Sequence, residues 1–124
     1  MSGSDARLGA EVVEATLPAE REAVADGRLA AALTELFVEL RDCAAALPDG
    51  GGALVVLSAA DVPVLDGAVR ALVRSLAREV ATRGCRLNAI LAAPGTDTAD
   101  AEAFLRSPAA VMLTGAVLRA NGHV

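Results

Sequence analysis

The sequence contains very few aromatic residues, with no tryptophan, no tyrosine and only two phenylalanines, Phe37 and Phe104. It therefore lacks the stacking surface on which proteins usually hold single-stranded nucleic acid or sugars. The formal net charge of −5 also disfavours a phosphate backbone as a partner, because like charges repel. Both features predict that the protein does not bind nucleic acid.

Metal-ligating residues are also scarce. The only cysteines, Cys43 and Cys85, each lie in an apolar stretch, which is typical of reduced, buried cysteines in an intracellular protein. The single histidine, His123, is almost at the end of the sequence, so it forms no cluster with the cysteines of the kind that zinc needs. We therefore expect no metal site.

Long apolar runs are absent, although 54% of the residues are hydrophobic and the mean hydropathy is +0.47. Charged residues interrupt every apolar stretch before the roughly 18 residues that a membrane span needs. The surplus apolar surface is expected in a protein interface instead. The sequence begins with small and polar residues and shows no signal peptide, so we expect a cytoplasmic protein without a membrane partner.

A length of 124 residues suits one domain. We predict a flexible arm over residues 1–9 and a single domain over residues 10–124. Strands are predicted at residues 10–17, 53–57, 87–92 and 116–119, and helices at residues 18–25, 28–47, 63–83 and 100–106. This alternation favours an α/β fold with a parallel sheet of about four strands and flanking helices.

The first long predicted helix carries two neighbouring apolar rows, which predicts that it has two neighbours, the sheet on one side and another helix on the other. In the first helix the rows are Leu29, Leu33, Leu36, Leu40, Cys43 and Leu47, and beside them Ala30, Phe37 and Ala44. In the second helix Leu65, Val69, Leu72, Leu76 and Val80 are expected to face inward. The remaining faces carry an acidic row of Glu35, Glu39 and Asp42 and a basic row of Arg70, Arg74 and Arg78.

Several spaced stretches carry a family resemblance. They are residues 44–48 and 51–58, residues 74–84 (RSLAREVATRG), Leu87-Asn88-Ala89 with Pro94-Gly95-Thr96, and residues 113–119 (LTGAVLR) with Asn121-Gly122-His123. Together they resemble the C-terminal half of a short-chain dehydrogenase/reductase, and most of all a β-ketoacyl carrier-protein reductase. The resemblance implies a truncated Rossmann-like domain.

The catalytic residues of that family are not matched. Its members use a tyrosine as general acid, a lysine four residues later, a serine at the substrate oxygen and an asparagine in a proton relay. An ungapped alignment places Val62 at the tyrosine position, Asp66 at the lysine position and Ala59 at the serine position, with the asparagine position near Glu35. We therefore expect no functional NAD(P)-dependent oxidoreductase and no catalytic residues of that kind.

The cofactor cradle of the family is not matched either. Family members hold the dinucleotide on a glycine-rich turn that follows a strand and opens a helix. Gly50-Gly51-Gly52 precedes a predicted strand, so we interpret it as an ordinary turn. The resemblance thus implies that this chain binds no cofactor.

The resemblance also implies a dimer, since the two long helices of family members pack against those of a second subunit. The candidate interface residues are Leu29, Leu33, Leu36, Phe37, Leu40, Leu65, Val69, Leu72, Leu76, Arg70 and Arg74. The acidic and basic rows could face each other across this interface. Alternatively, both rows are solvated faces, where each exposed ion pair contributes only about 0–1 kcal/mol.

Two functions stay open at this point. The first is a non-catalytic subunit that forms a homodimer, or a heterodimer with a full-length short-chain dehydrogenase/reductase such as a ketoreductase of polyketide or fatty-acid-type biosynthesis. The second is a cofactor-independent isomerase, cyclase or dehydratase acting on a carbonyl-containing biosynthetic intermediate. Its proton transfers would use Glu35, Asp61 and Asp66 beyond the carboxyl ends of the strands, and would need raised carboxyl pKa values.

An exposed sheet edge is expected where the first strands of the family would lie. Natural proteins cover such edges because unpaired backbone groups invite association. Residues 10–25, or a neighbouring chain, are the predicted cover.

Overall fold

The computed structural model describes residues 11–60 and 62–120, which form alternating strands and helices. The strands are β1 (Glu11–Thr16), β2 (Gly52–Ser58), β3 (Arg86–Ala92) and β4 (Val117–Ala120). The helices are α1 (Arg21–Ala25), α2 (Arg28–Ala46), α3 (Pro63–Ala81) and α4 (Ala99–Arg106), followed by a 3₁₀ turn at Pro108–Ala110. The predicted arm and the motif residues Asn121, Gly122 and His123 lie outside the described residues.

The four strands form one sheet in the order β1-β2-β3-β4, and each neighbouring pair is parallel. Five of the first six residues of β2 are buried, and only the first residue of β3 is more than slightly exposed. Such burial on both faces explains why both strands are nearly continuous apolar runs. The predicted α/β fold, with a Rossmann-like parallel sheet of about four strands and flanking helices, is confirmed.

The two faces of the sheet carry unequal layers. Helices α2 and α3 pack on one face, and their large core includes Leu40, Val55, Leu65 and Leu87. The other face carries a smaller cluster of Leu54, Ile90, Leu105 and Ala110, under α4 and the 3₁₀ turn. The second face is therefore packed mainly along β3, β4 and the beginning of β2.

The ends of α3 follow from two residues. Pro63 is the first helical residue, where a missing backbone N–H removes no helical hydrogen bond. Gly84 has a φ of 71°, the left-handed conformation that commonly follows a helix end. The helix ends at Ala81, earlier than predicted, because Arg83 and Gly84 donate to the carbonyls of Val80 and Ala81 in a closing turn.

The inward face of α3 differs slightly from the prediction. Leu65, Val69, Leu76 and Val80 are buried as predicted, whereas Leu72 is only half-buried. The buried row also contains Val73 and Ala77, which the sequence pattern did not single out. At 3.6 residues per turn the row that contacts the sheet passes through position 73, which leaves Leu72 on the shoulder of the helix.

Of the two predicted covers of the sheet edge, residues 10–25 are wrong, and a neighbouring chain stays a prediction. Residues 10–25 cannot cover the edge because β1 is itself the edge strand, paired with β2 from Glu11 to Thr16. The following helix, α1, packs against α2 instead of lying along β1. Within the described residues, the far side of β1 has no strand neighbour.

Arg83 joins the C-terminal ends of the two long helices. Its guanidinium donates to the carbonyls of Ala44 and Leu47, at 2.6 Å each. These carbonyls lie in the last turn of α2 and at the residue that follows it, where no further helical turn supplies donors. Arg83 therefore caps α2 from the loop that follows α3.

Asn88 holds the segment that leads into β4. It is 3% exposed, and its amide nitrogen donates to the carbonyl of Leu113 while its oxygen accepts from the backbone of Ala116. Both polar ends of the buried amide are thus satisfied. This residue, quoted above as part of a family-like motif, positions the loop between the 3₁₀ turn and the last strand.

Candidate functional site

A cavity of about 390 Å³ lies at the carboxyl ends of β1, β2 and β3. It is lined by Glu14, Ala15, Thr16, Val56, Leu57, Ser58, Ala92, Ala93, Gly95, Thr96 and Thr98. Open parallel sheets bind their ligands beyond this edge, because the loops that leave the strands converge there. The cavity is therefore the first place to look for an active site.

The polar groups of the cavity come from two sources. Glu14, Thr16 and Ser58 lie at the ends of β1 and β2, and Thr96 and Thr98 lie in the loop between β3 and α4. The Thr98 hydroxyl already donates to Glu102 of α4 at 2.7 Å. This wall offers one carboxylate and several hydroxyls, and no basic side chain is among the lining residues.

The positions that correspond to the family's serine and tyrosine carry no functional group. Ala59 is 3% exposed, and its backbone N–H donates to the carbonyl of Ala92, so it continues the sheet beyond β2. Val62 is the residue before the first turn of α3 and is half-buried. An alanine methyl and a valine cannot donate a proton to a substrate oxygen.

Asp66, at the position of the family's lysine, is held in ion pairs. Its carboxylate lies 2.7 Å from the Arg119 guanidinium of β4 and 3.4 Å from that of Arg70, one turn further along α3. The hydrogen bond from Arg119, followed by that from Arg70, lowers the pKa of Asp66 below its ordinary value of 3.8. A general base near neutral pH needs a raised carboxyl pKa, so Asp66 is poorly suited to that role.

The other predicted carboxylates do not complete a site with Asp66. Glu35 is exposed on α2, and neither Glu35 nor Asp66 is among the residues that line the cavity. Asp61 lies outside the described residues. The carboxylate that the structure does place at the cavity is Glu14, which the sequence analysis missed. The sequence does carry a signal for Glu14, because a charged residue stands in the middle of a strand whose other central residues are apolar.

The described residues do not fit a dinucleotide. The backbone N–H groups of Gly50 and Gly51 already donate to the carbonyls of Arg83 and Pro48, and this turn precedes β2. It therefore lies at the amino end of the strand, opposite the cavity. The sequence also contains no lysine that could hold a nicotinamide ribose, and Asp66 brings a negative charge to that position. A nicotinamide cofactor would find neither its phosphate cradle nor its ribose partner here.

Metal binding and membrane insertion find no support in the described ranges. No three side chains of His, Cys, Asp and Glu are grouped there in a way that could hold a metal ion. The helices of the same ranges are too short or too polar to cross a membrane.

The predicted interface residues divide into two groups. Six of them are buried within the chain itself and pack on its own sheet: Leu29, Leu36, Leu40, Leu65, Val69 and Leu76. Their assignment to a contact surface is corrected, since a second subunit cannot reach them. The others remain accessible in part: Leu33, Phe37 and Leu72 are half-buried, and Arg70 and Arg74 are exposed.

A family model described as a short chain dehydrogenase-like protein (SDR-like) matches residues 13–120. The chain therefore belongs to this SDR-like family. The matched range runs from β1 to the end of β4 and so includes the whole described sheet.

Solved structures agree on the fold. BdcA (YjgI) from E. coli is 24% identical with a TM-score of 0.63, and the match covers 92% of this chain and 63% of that one. A 3-ketoacyl-(acyl-carrier-protein) reductase from Brucella melitensis, in complex with NADH, is 21% identical with a TM-score of 0.53, covering 90% and 64%. The chain thus spans less than two thirds of the length of either protein. Among curated proteins, none matches the sequence significantly.

Proposed function

We propose that this chain is a non-catalytic member of the SDR-like family that works in the cytoplasm as a dimerising or partner subunit. Its partner is a second copy or a full-length short-chain dehydrogenase/reductase, with ketoreductases of polyketide or fatty-acid-type biosynthesis as the favoured class. The subunit stabilises or regulates its partner, and the partner supplies any chemistry.

The arrangement around Asp66 carries the proposal. Three positions that would serve hydride transfer are occupied by Ala59, Val62 and Asp66, and the last of these is engaged with Arg119 of β4. The ion pair connects α3 to the sheet. Asp66 therefore has a structural role at the position where the family has its catalytic lysine. The SDR fold is kept while the proton donor and the cation are replaced, which favours a role in assembly.

The outer surface of α2 and α3 supports assembly through these helices. On these two helices Leu33, Phe37 and Leu72 remain partly exposed, and Arg70 and Arg74 are exposed. The acidic row of α2 and the basic row of α3 are both exposed, so one copy presents both signs of charge to a partner. Complementary charges of this kind set the orientation and partner choice of an interface more than its strength.

The class of partner comes from a structural neighbour. The Brucella reductase is named as acting on 3-ketoacyl groups attached to the acyl carrier protein and is in complex with NADH. At 21% identity this likeness supports only the choice of partner class for this chain.

Native mass spectrometry of the purified chain, with and without NADPH, tests the proposal. We expect dimers, or complexes with an added 3-ketoacyl reductase, and no mass shift from NADPH on the chain alone. A parallel assay with a β-keto thioester and NADPH should show no turnover without a partner. Bound nucleotide or hydride transfer by the isolated chain would contradict the proposal. Turnover of the β-keto thioester without any nucleotide would favour the cofactor-independent alternative instead.

A further inference from the structure

On the side of β1 that faces away from β2, the described part of the chain leaves backbone groups unpaired in a fixed pattern. The N–H of Leu17 donates to the carbonyl of Ser58 at 2.8 Å, so the backbone of Leu17 points toward β2. Successive residues of a strand point their backbone groups to opposite sides. Val13 and Ala15 therefore bond to β2, whereas Val12, Glu14 and Thr16 direct their N–H and C=O groups outward.

A groove of about 440 Å³ runs beside this edge, between β1 and the C-terminal half of α2. Its lining is mostly apolar and consists of Val12, Val13, Glu14, Glu39, Cys43, Ala46, Leu47 and Pro48. The two charged residues, Glu14 and Glu39, are exposed, and no basic residue is among the lining residues. The groove thus combines an apolar floor with acidic exposed side chains.

The charges of the groove argue against a second copy as its occupant. Two copies paired through β1 would bring Glu14 of both onto neighbouring strands, where like charges are destabilising. Charged residues on edge strands are a common device against pairing of identical edges. The same carboxylates attract a segment with basic side chains.

We propose that the open edge of β1 binds an extended, basic segment of another protein by strand addition. Main-chain hydrogen bonds to Val12, Glu14 and Thr16 hold the segment, and its alternate side chains point to opposite faces. Apolar side chains on the face of α2 enter the groove, while basic side chains on the other face lie beside Glu14. This surface meets the proposed dimer surface at Glu39, which lines the groove and also belongs to the acidic row of α2, whereas the edge of β1 itself lies outside the dimer surface.

Two capped hexapeptides serve as probes, one alternating valine with arginine and the other alternating valine with glutamate. Binding is measured by fluorescence anisotropy of labelled peptides, and the contact is located by amide hydrogen exchange. We expect the arginine peptide alone to bind and to slow exchange at Val12, Glu14 and Thr16. The amides of Val13, Ala15 and Leu17, already bonded to β2, should change little.

Two variants examine the two parts of the contact. Glu14→Lys should weaken binding of the arginine peptide by about fivefold, as expected for reversing a cross-strand charge pair. Glu22→Lys, an equal charge change on α1, should leave binding unchanged. Val12→Pro removes an outward N–H without removing a bond to β2, so the fold should persist while binding is lost.

Several outcomes would overturn this proposal. They are no binding of either peptide, equal binding of both, or protection of the β2-bonded amides alone. Slowed exchange at Val12, Glu14 and Thr16 that rises with protein concentration without peptide would assign the edge to a second copy. The dimer through α2 and α3 is tested separately, because Val12→Pro leaves its surface intact.

Discussion

Asp66 joins two elements that are far apart in the sequence, since its partner Arg119 lies 53 residues later. The hydrogen bond from Arg119 lowers the pKa of Asp66 in the folded chain below its ordinary value of 3.8. The folded state therefore binds this proton less readily than the unfolded state. It follows that the ion pair contributes its full stability above about pH 4 and loses it as the pH falls through the lower pKa of the folded state.

The variant Asp66→Asn should lack this pH dependence of stability, because asparagine cannot ionise. Urea unfolding between about pH 5 and pH 2 should give a free energy of unfolding that falls less steeply for the variant than for the parent chain. Glu35→Gln, which changes the other described candidate carboxylate on an exposed face, is the matched control and should follow the parent chain. Parallel pH profiles for Asp66→Asn and the parent would mean that the ion pair adds no stability.

Arg83 is a second residue whose role is local and measurable. Arg83→Ala removes two hydrogen bonds from a charged donor, so the Leu47 carbonyl loses this partner and the Ala44 carbonyl keeps its bond from the backbone N–H of Leu47. We expect a loss of about 2 kcal/mol in the free energy of unfolding, measured by urea denaturation. Arg78→Ala, at an exposed position of α3, should change the stability by less than about 0.5 kcal/mol. Equal effects of the two variants would show that Arg83 does not cap α2.

Neither pairing was open to prediction from the sequence. The position of Asp66 could be derived from an ungapped alignment, but its partner depends on how α3 lies against β4, which is a long-range property of the fold. The same holds for Arg83, because a basic residue near a helix end is common and its target is the end of a different helix. Residue types and spacing predicted which positions lack the family's catalytic side chains. Only the structure shows what the side chains at those positions contact.

At the scale of elements, helix periodicity predicted the helices α2 and α3 well, but it did not separate their core residues correctly from their surface residues. Both helices carry apolar residues over a wide arc, and such an arc can face a sheet, a neighbouring helix or a partner. Only the tilt of each helix on the sheet decides which rows are buried. This is why six predicted interface residues belong to the core, while Leu33, Phe37 and Leu72 lie at its margin.

The division between core and surface can be tested on α3 with one pair of variants. Leu76 has no exposed surface, so Leu76→Ala should lower the free energy of unfolding by about 2–5 kcal/mol. Leu72→Ala removes the same atoms from a half-buried position and should cost clearly less in the monomer. We expect Leu72→Ala instead to weaken dimerisation, measured by analytical ultracentrifugation. A larger stability loss for Leu72→Ala than for Leu76→Ala would contradict the observed helix orientation.

Strand β1 illustrates a different limit of sequence analysis. Val13, Ala15 and Leu17 face α2 and α3, while Glu14 and Thr16 are exposed on the opposite face. Such alternation predicts a strand with one solvated face, and the predicted strand was found. Its place at the edge of the sheet depends on strand order, however, which the pattern of one strand does not give. For the same reason the sequence analysis did not predict that Glu14 lines the candidate cavity. Only the parallel register with β2 brings Glu14, Thr16 and Ser58 to the same end of the sheet.

At the scale of the whole molecule, the fold class followed from the alternation of strands and helices, whereas the proposed assembly is inferred from the charge pattern of two helices. The acidic row of α2 and the basic row of α3 belong to the same chain, so a twofold contact can match each row with the opposite row of the partner. Contacts of this kind weaken with salt, since exposed charges are screened beyond about 8–10 Å at physiological ionic strength.

A charge-swap experiment separates this arrangement from two solvated faces. Arg70 and Arg74 are changed to glutamate in one variant, and Glu35 and Glu39 to arginine in a second. Each variant alone carries like charges on both rows, so its homodimer should weaken by about tenfold or more. Mixed together, the two should form a heterodimer in native mass spectrometry, because every row then meets its opposite. A control with Arg21 and Arg106 changed to glutamate alters the net charge as the first variant does and should dimerise as the parent chain does. If both swapped variants form homodimers as strong as those of the parent chain, both rows are solvated faces. The dimer contact would then have to be formed by other residues.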